Sequence, residues 1–216
     1  MILKVLKRKI ETRNSFSLIL EKPAAFNFYP GQYLDVKLAN DTRTFTISSS
    51  PTENFIMITA KKGRSRFKKM MEKLKIGDLI TTSHPAGTFT LDESTPAVFI
   101  AGGIGITPFR SIIKSAVDKK LPTSITLIYS NSDNNFIFKD ELVTWQKQTP
   151  NLKMMYHNSG QNCRLNRTQL EPIVHMYGDA TSYLAGTPKM VDGFEKMLLD
   201  LGIDKTNIRY DKFDGY

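Results

Sequence analysis

One cysteine, Cys163, is all the chain carries in 216 residues. Alone it forms no internal disulfide, and no closely spaced cysteines are present to hold an iron–sulfur centre or a structural zinc. Both absences fit a reducing compartment. The three histidines, His84, His157 and His175, are too dispersed for a ligand set, so no metal is expected. No run of about 18 apolar residues occurs and the amino terminus lacks an apolar signal core, which argues against membrane crossing and secretion and for a cytoplasmic location. Repeats, low-complexity tails and long linkers are also missing. Acidic residues are in deficit, 21 against 30 Lys and Arg, for a net charge of +9. That imbalance favours an acidic macromolecular partner, although the sign of a charge does not identify one, and no nucleic acid is predicted.

What is present is a glycine-bunched run, Ala101-Gly102-Gly103-Ile104-Gly105-Ile106-Thr107-Pro108, between the apolar segment Ala97 to Ile100 and an amphipathic helix. A strand would carry the backbone to a sheet edge, the glycines would admit phosphate oxygens, and the helix start near Thr107 would offer unpaired N–H groups. Pro108 suits a first turn, and Phe109, Ile112, Ile113 and Ala116 form a buried stripe. The spacing differs from the usual dinucleotide fingerprint, and no acidic ribose reader stands at the expected later strand end. A tight strand-to-helix turn is the alternative.

The composition changes near residue 94, which predicts two domains, 1–92 and 93–216, joined around residues 92 to 96. In the first, Leu34, Val36 and Leu38 alternate with Asp35 and Lys37 after the Pro30-Gly31 turn. Further strands are expected over Arg43 to Ser49 and Phe55 to Ala60, as in a small antiparallel barrel. After Ser65 a short basic helix is predicted, with Phe67, Met70, Met71 and Leu74 inward and Gly77-Asp78 ending it. The second half places strand cores at Ala97 to Ile100, Ile125 to Tyr129, Met154 to His157 and Ser182 to Ala185, the rhythm of a parallel sheet with flanking helices. Phe136, Phe138, Leu142, Val143 and Trp145 cover one face. Pro188 opens a last helix through Val191, Phe194, Met197 and Leu198.

Six motifs together resemble the ferredoxin-NADP reductase superfamily: Pro30-Gly31-Gln32-Tyr33, Arg43-Thr44-Phe45-Thr46, His84-Pro85-Ala86-Gly87-Thr88-Phe89, the Gly102 to Pro108 loop, Gly186-Thr187-Pro188-Lys189-Met190, and Phe213-Asp214-Gly215-Tyr216. The resemblance spans nearly the whole chain. It implies an antiparallel flavin-binding barrel followed by a parallel nicotinamide-nucleotide-binding sheet, with FAD and NAD(P)H as cofactors. FAD is favoured over FMN by the resemblance alone.

The resemblance also assigns roles. Arg43 neutralises a flavin phosphate, Phe45 covers the ring where relatives commonly have Tyr, and Thr46 hydrogen-bonds near the reactive nitrogen. Gly63, Arg64 and Ser65 receive the flavin phosphates, while Arg66, Lys68 and Lys69 guide an acidic electron-transfer protein or reductase-system component. Gly102, Gly103, Gly105 and Thr107 form the nucleotide phosphate loop, and Gly186, Thr187 and Pro188 lie at the nicotinamide end, beside Ala185 where many relatives have Cys. Tyr216 or Phe213 covers the flavin. The implied reaction passes electrons from NAD(P)H through flavin to ferredoxin, flavodoxin or another carrier, and needs no side-chain nucleophile. Asp133 and the absence of Arg from Tyr129 to Asn134 lean toward NADH, while Arg164 leaves NADPH open. Bland readings stand beside these: Phe45 and Ile47 as core with Arg43 in solvent, the basic helix face as simple solvation, and surface-packed termini. A flavin- or nucleotide-binding regulatory module is the non-enzyme alternative.

Overall fold

The computed structural model describes residues 1–213. Its first half is a sheet of β1 (Ile2–Thr12), β2 (Ser15–Glu21), β3 (Tyr33–Leu38), β4 (Asp41–Thr46), β5 (Phe55–Lys61) and β6 (Leu79–Thr82), in the order β4-β3-β6-β1-β2-β5. Every pairing is antiparallel. Beyond β4 the chain bridges back to β5 through Ile47 and Ile58, which closes the sheet into a barrel. The alternation read in residues 34 to 38 is real: Leu34 and Val36 are fully buried and face a core shared with Phe16, Leu18, Ile56 and Ile58. Helix α1 (Arg66–Lys73) is capped by Ser65, whose side chain accepts from the Lys68 N–H, and it plugs one end of the barrel with Phe67 and Met71.

The second half is an all-parallel sheet of β7 (Ala97–Gly102), β8 (Ile125–Asn131), β9 (Leu152–Asn158), β10 (Thr181–Gly186) and β11 (Ile208–Lys212), in the order β11-β10-β7-β8-β9. Helices α2 (Ile106–Asp118) and α3 (Lys139–Gln148) cover one face; α4 (Arg167–Val174) and α5 (Pro188–Asp200) cover the other. Successive residues of β7 serve the two cores in turn, with Ala97, Phe99 and Ala101 toward α2 and Val98 and Ile100 toward α5. A strand buried on both faces reads as an unbroken apolar run, which is why this one was visible in the sequence.

Elsewhere the structure departs from the sequence pattern. Phe136 and Phe138 precede α3, with Phe138 at φ 63 as its N-cap, so the irregular spacing of those aromatics reflects a loop rather than a helix. Helix α4 contains Pro172 in its interior and was hidden by it, although Asn166 and Gln169 form a reciprocal capping box. Strand β11 is mostly polar and half-exposed, which left its pairing with β10 invisible.

Residues 83–96 connect β6 to β7, and the two halves are tied by more than this segment. Arg110 of α2 is 4% exposed and forks across the junction, donating from NH1 and NH2 to the Glu53 carboxylate at 2.9 and 3.1 Å and from NH1 to the Ser48 carbonyl at 2.9 Å. Its Nε donates to Glu141 at 2.8 Å, and Lys9 of β1 reaches the same carboxylate at 2.8 Å. The guanidinium lies over the rings of Phe138 and Trp145, and Ser111 Oγ donates to the Ser49 carbonyl at 2.6 Å.

Candidate functional site

The motifs scattered through the sequence condense into two groups. In the first, Tyr33 and Ala86 exchange backbone hydrogen bonds, Gln32 Nε2 donates to the Gly87 carbonyl at 3.1 Å, and the Ile47 N–H donates to Gln32. Tyr33 is also the register partner of Thr46. Pro30 to Tyr33, Arg43 to Thr46 and His84 to Phe89 are therefore one structure. In the second group, Gly102 to Gly105 leave β7 beside the end of β10, and the Phe213 N–H donates to the Gly186 carbonyl.

Around the first group, Arg43 is exposed, pairs with Asp41 at 2.9 Å, and lies over the Phe67 ring. Ser65 starts α1 one residue before Arg66, and Lys68 sits close enough to Lys61 that burial and the Lys61 charge together lower its pKa. Two ammonium groups drawn together beside a capped helix start, with a guanidinium across the Phe67 ring, are the donor set that phosphates require. These residues fit the phosphates of a flavin. Phe45 is 5% exposed and stacks against Phe67 at 5.9 Å, so most of its ring is already spent on the barrel core. Thr46 is 8% exposed, on the opposite face of the strand. Gly63 is half-buried with its N–H donated to Glu72, and Arg64 is exposed.

The second group lines a cleft of about 380 Å³ at the carboxyl ends of β7, β8 and β10, where strand order reverses around β7. That is the place where open parallel sheets take nucleotides. Lys61, Gly102, Gly103, Asn131, Arg164 and Lys189 are among its walls. Gly103 has φ +54, which an L side chain rarely adopts, and the Lys61 Nζ stands 3.1 Å from where its Cβ would be. Gly105 is a packing glycine, since a methyl there would overlap the Ala185 carbonyl. Thr107 is 2% exposed and donates its hydroxyl to the Ile104 carbonyl, so it braces the loop from inside. Gly186 is buried, Thr187 is exposed on the cleft wall, and Pro188 occupies the first turn of α5. Tyr216 lies outside the described residues, whereas Phe213 packs against the core shared by α2 and α3.

Sequence reasoning undervalued the cations. Lys61, at the end of the barrel strand β5, and Arg164, after β9, line the same cleft although 103 positions separate them. The signal available was a basic residue just past a strand's carboxyl end. The Asp133 carboxylate, the ground for the leaning toward NADH, accepts from Asn131 Nδ2 and from the Asn135 N–H, both at 2.8 Å, and these bonds hold its pKa down, so it stays ionised. Asp211 of β11, register partner of Ala185, has its carboxyl pushed up to about 6 by burial and was also missed. Among the described residues no three His, Cys, Asp or Glu side chains gather as a metal set, and no helix is long and apolar enough to cross a membrane.

A closed antiparallel barrel joined to a doubly wound parallel sheet leaves a glycine-lined crevice at the place where such sheets take nucleotides. Residues 99–196 match the oxidoreductase NAD-binding domain family. The chain has the fold of the ferredoxin-NADP reductase superfamily. Ferredoxin-NADP+ reductase from Plasmodium falciparum superposes with a TM-score of 0.84 at 19% identity, covering 98% of this chain and 95% of that one. The flavohem-like FAD/NAD binding domain of nitric oxide dioxygenase from Vibrio cholerae gives 0.82 at 21%, covering 98% of each. Flavohemoprotein A of Dictyostelium discoideum is 25% identical over 97% of this chain, which spans only 59% of that protein's length.

Proposed function

We propose that the chain is an NAD(P)H-dependent flavoprotein oxidoreductase that hands electrons to a separate redox carrier. The observation that carries this reading is the glycine-lined cleft at the strand-order reversal, faced from the barrel by Lys61 and joined through β10 to the end of β11. Bound flavin supplies the conversion of a two-electron donor into single-electron transfers. The chain's residues position and neutralise. Arg43, Arg64 and Ser65 hold the flavin phosphates and Thr46 borders the ring, while Phe45 supports that strand from the barrel core and Gly63 shapes the turn before Ser65. Gly102 and Gly103 bring the backbone to the dinucleotide phosphates, Gly105 and Thr107 brace that loop from inside, and Gly186, Thr187 and Pro188 receive the nicotinamide end. The domain boundary belongs at 92/93, FAD is the flavin, and the site of action is cytoplasmic.

Flavin extraction after reconstitution, followed by chromatography, should return FAD, and anaerobic addition of NADH or NADPH should bleach it. A loaded protein that neither nucleotide reduces would leave only a binding or regulatory role. NADPH should be at least as efficient as NADH, because Arg164 lines the cleft. Arg164→Ala should cut kcat/KM for NADPH about tenfold, with little change for NADH, since a charge-assisted contact to phosphate is worth about 1.5 kcal/mol. Equal losses for both nucleotides would show that Arg164 does not read the extra phosphate.

The carrier is acidic and docks on α1, whose outer face exposes Arg66, Lys69 and Lys73 after the exposed Lys62 and Arg64. Exposed charges of one sign accelerate encounter and are screened over about 8 Å at physiological salt. Arg66→Glu with Lys69→Glu should therefore slow turnover with an acidic ferredoxin roughly tenfold at low ionic strength, the gap closing in salt. Wild-type rates at low salt would remove α1 as the docking face.

A further inference from the structure

We infer that Tyr129 is a positioning residue that sets both loops of the nucleotide cleft through one buried hydroxyl, a role that rests on the dinucleotide reading above. Tyr129 stands near the carboxyl end of β8 and is fully buried. Its hydroxyl donates to the Gly103 carbonyl at 3.0 Å and accepts from the Ile137 N–H at 3.2 Å. Gly103 belongs to the loop after β7, and Ile137 to the segment between β8 and α3 whose beginning, Asn131 and Ser132, lines the cleft. One oxygen thus ties the two walls together, and both its proton and a lone pair are engaged.

The consequence for binding follows from peptide geometry. In a trans peptide the carbonyl and the next N–H point in opposite directions. Holding the Gly103 carbonyl inward on the phenol therefore turns the Ile104 N–H away from Tyr129. This N–H lies in the turn that leads from β7 into α2, directly after the cleft-lining Gly102 and Gly103. Together with the Ile106 N–H, which donates to the same carbonyl, this bond holds Gly103 in its left-handed conformation, opposite Lys61. The ring cannot drift, because Phe136 meets it edge-on at 5.0 Å and Tyr156 flanks it at 6.2 Å. Burial pushes the phenol's pKa far above its ordinary value, so the hydroxyl stays protonated and remains a donor.

Tyr129→Phe keeps the ring and deletes the oxygen. In the purified, flavin-loaded protein it should raise the calorimetric Kd for NADP+ and the KM for NADPH by about tenfold, with kcat within about twofold, because the loop must then be organised by the ligand itself. Tyr156→Phe is the control. It removes a hydroxyl from the same aromatic cluster, one that touches only the Met154 sulfur at 3.7 Å among its hydrogen-bond contacts, and should leave Kd and KM unchanged. A Tyr129→Phe protein with wild-type Kd and KM overturns the inference even if it melts earlier, since a purely structural hydroxyl would behave that way. Wild-type protein that binds neither NADP+ nor NADH sinks the functional reading itself, and this inference with it. Amide exchange in the wild type supplies an arm that does not depend on the variant folding. Ile137 should be protected before nucleotide is added, and Ile104 should gain about tenfold protection at saturating NADP+. Rapid exchange at Ile137 in the free protein, or no change at Ile104, counts against the assignment.

Discussion

Arg110→Ala should lower the unfolding free energy by about 3–5 kcal/mol, the cost of removing one partner from a buried ion pair and leaving the other uncompensated. Glu53 and Glu141, with side chains 12% and 30% exposed, would both lose the guanidinium, and the Ser48 carbonyl would lose its donor. The effect reaches beyond α2 because Glu53 and Ser48 belong to the barrel. With Arg110 present, urea unfolding followed separately in the two halves should trace a single transition; in the variant the transitions should separate. The pH dependence has a definite sign. Burial raises the Glu141 pKa, but Arg110 and Lys9 outweigh it, so the folded-state value lies below the ordinary 4.5. A depressed folded pKa contributes stability above the unfolded value and loses it as pH falls through the folded one. Wild-type stability should therefore decline below about pH 4.5, and the variant, lacking the main charge behind that depression, should decline less steeply. A loss under about 1 kcal/mol, or parallel acid limbs, would show that the network is solvated rather than structural.

Gly105→Ala should be nearly as damaging, for a reason of space. The added methyl would overlap the Ala185 carbonyl and approach the Gly186 nitrogen at 2.8 Å, and both are backbone atoms of a paired central strand. Overpacking of this kind costs about 1–3 kcal/mol and more where the neighbour cannot yield. Because the obstructed contact lies where β7 and β10 part, relieving it widens the crevice, and NADP+ affinity should fall at least about tenfold. Gly102→Ala is the informative comparison, since its methyl meets the far end of the flexible Met190 side chain. That variant should lose under about 1 kcal/mol of stability, with Met190 swinging aside. Equal destabilisation by the two would remove the backbone-clash argument, and calorimetry with thermal melting measures both quantities.

How much was legible followed from how local each determinant is. Strands buried on both faces, such as β7 and β8, announce themselves because every position must be apolar, and α1 is readable because Ser65 caps it and Phe67 and Met71 recur at helical spacing. The bunched glycines and Pro188 marked the turn into a helix, and the Pro30–Tyr33 and Arg43–Thr46 segments carried the family resemblance, each within a few residues. Strand β11 and helix α4 escaped, the first because an edge strand is half solvated, the second because Pro172 argues against a helix that its capping box and burial nevertheless stabilise.

By itself, then, the sequence determined that antiparallel strands come before a parallel sheet with flanking helices, and that a glycine-rich turn leads from β7 into α2, since each depends on periodicity and backbone permissiveness within a few residues. Only the tertiary structure decided that Lys61 and Arg164 face one cleft, that the Asp133 carboxylate is hydrogen-bonded within its own loop, that Arg110 fastens the barrel to the second sheet, and that Tyr129 joins two loops through one oxygen. The physical reason is shared. Charge pairing and buried hydrogen bonds depend on where side chains meet in space, and a contact between residues 57 positions apart leaves no periodic trace in the chain.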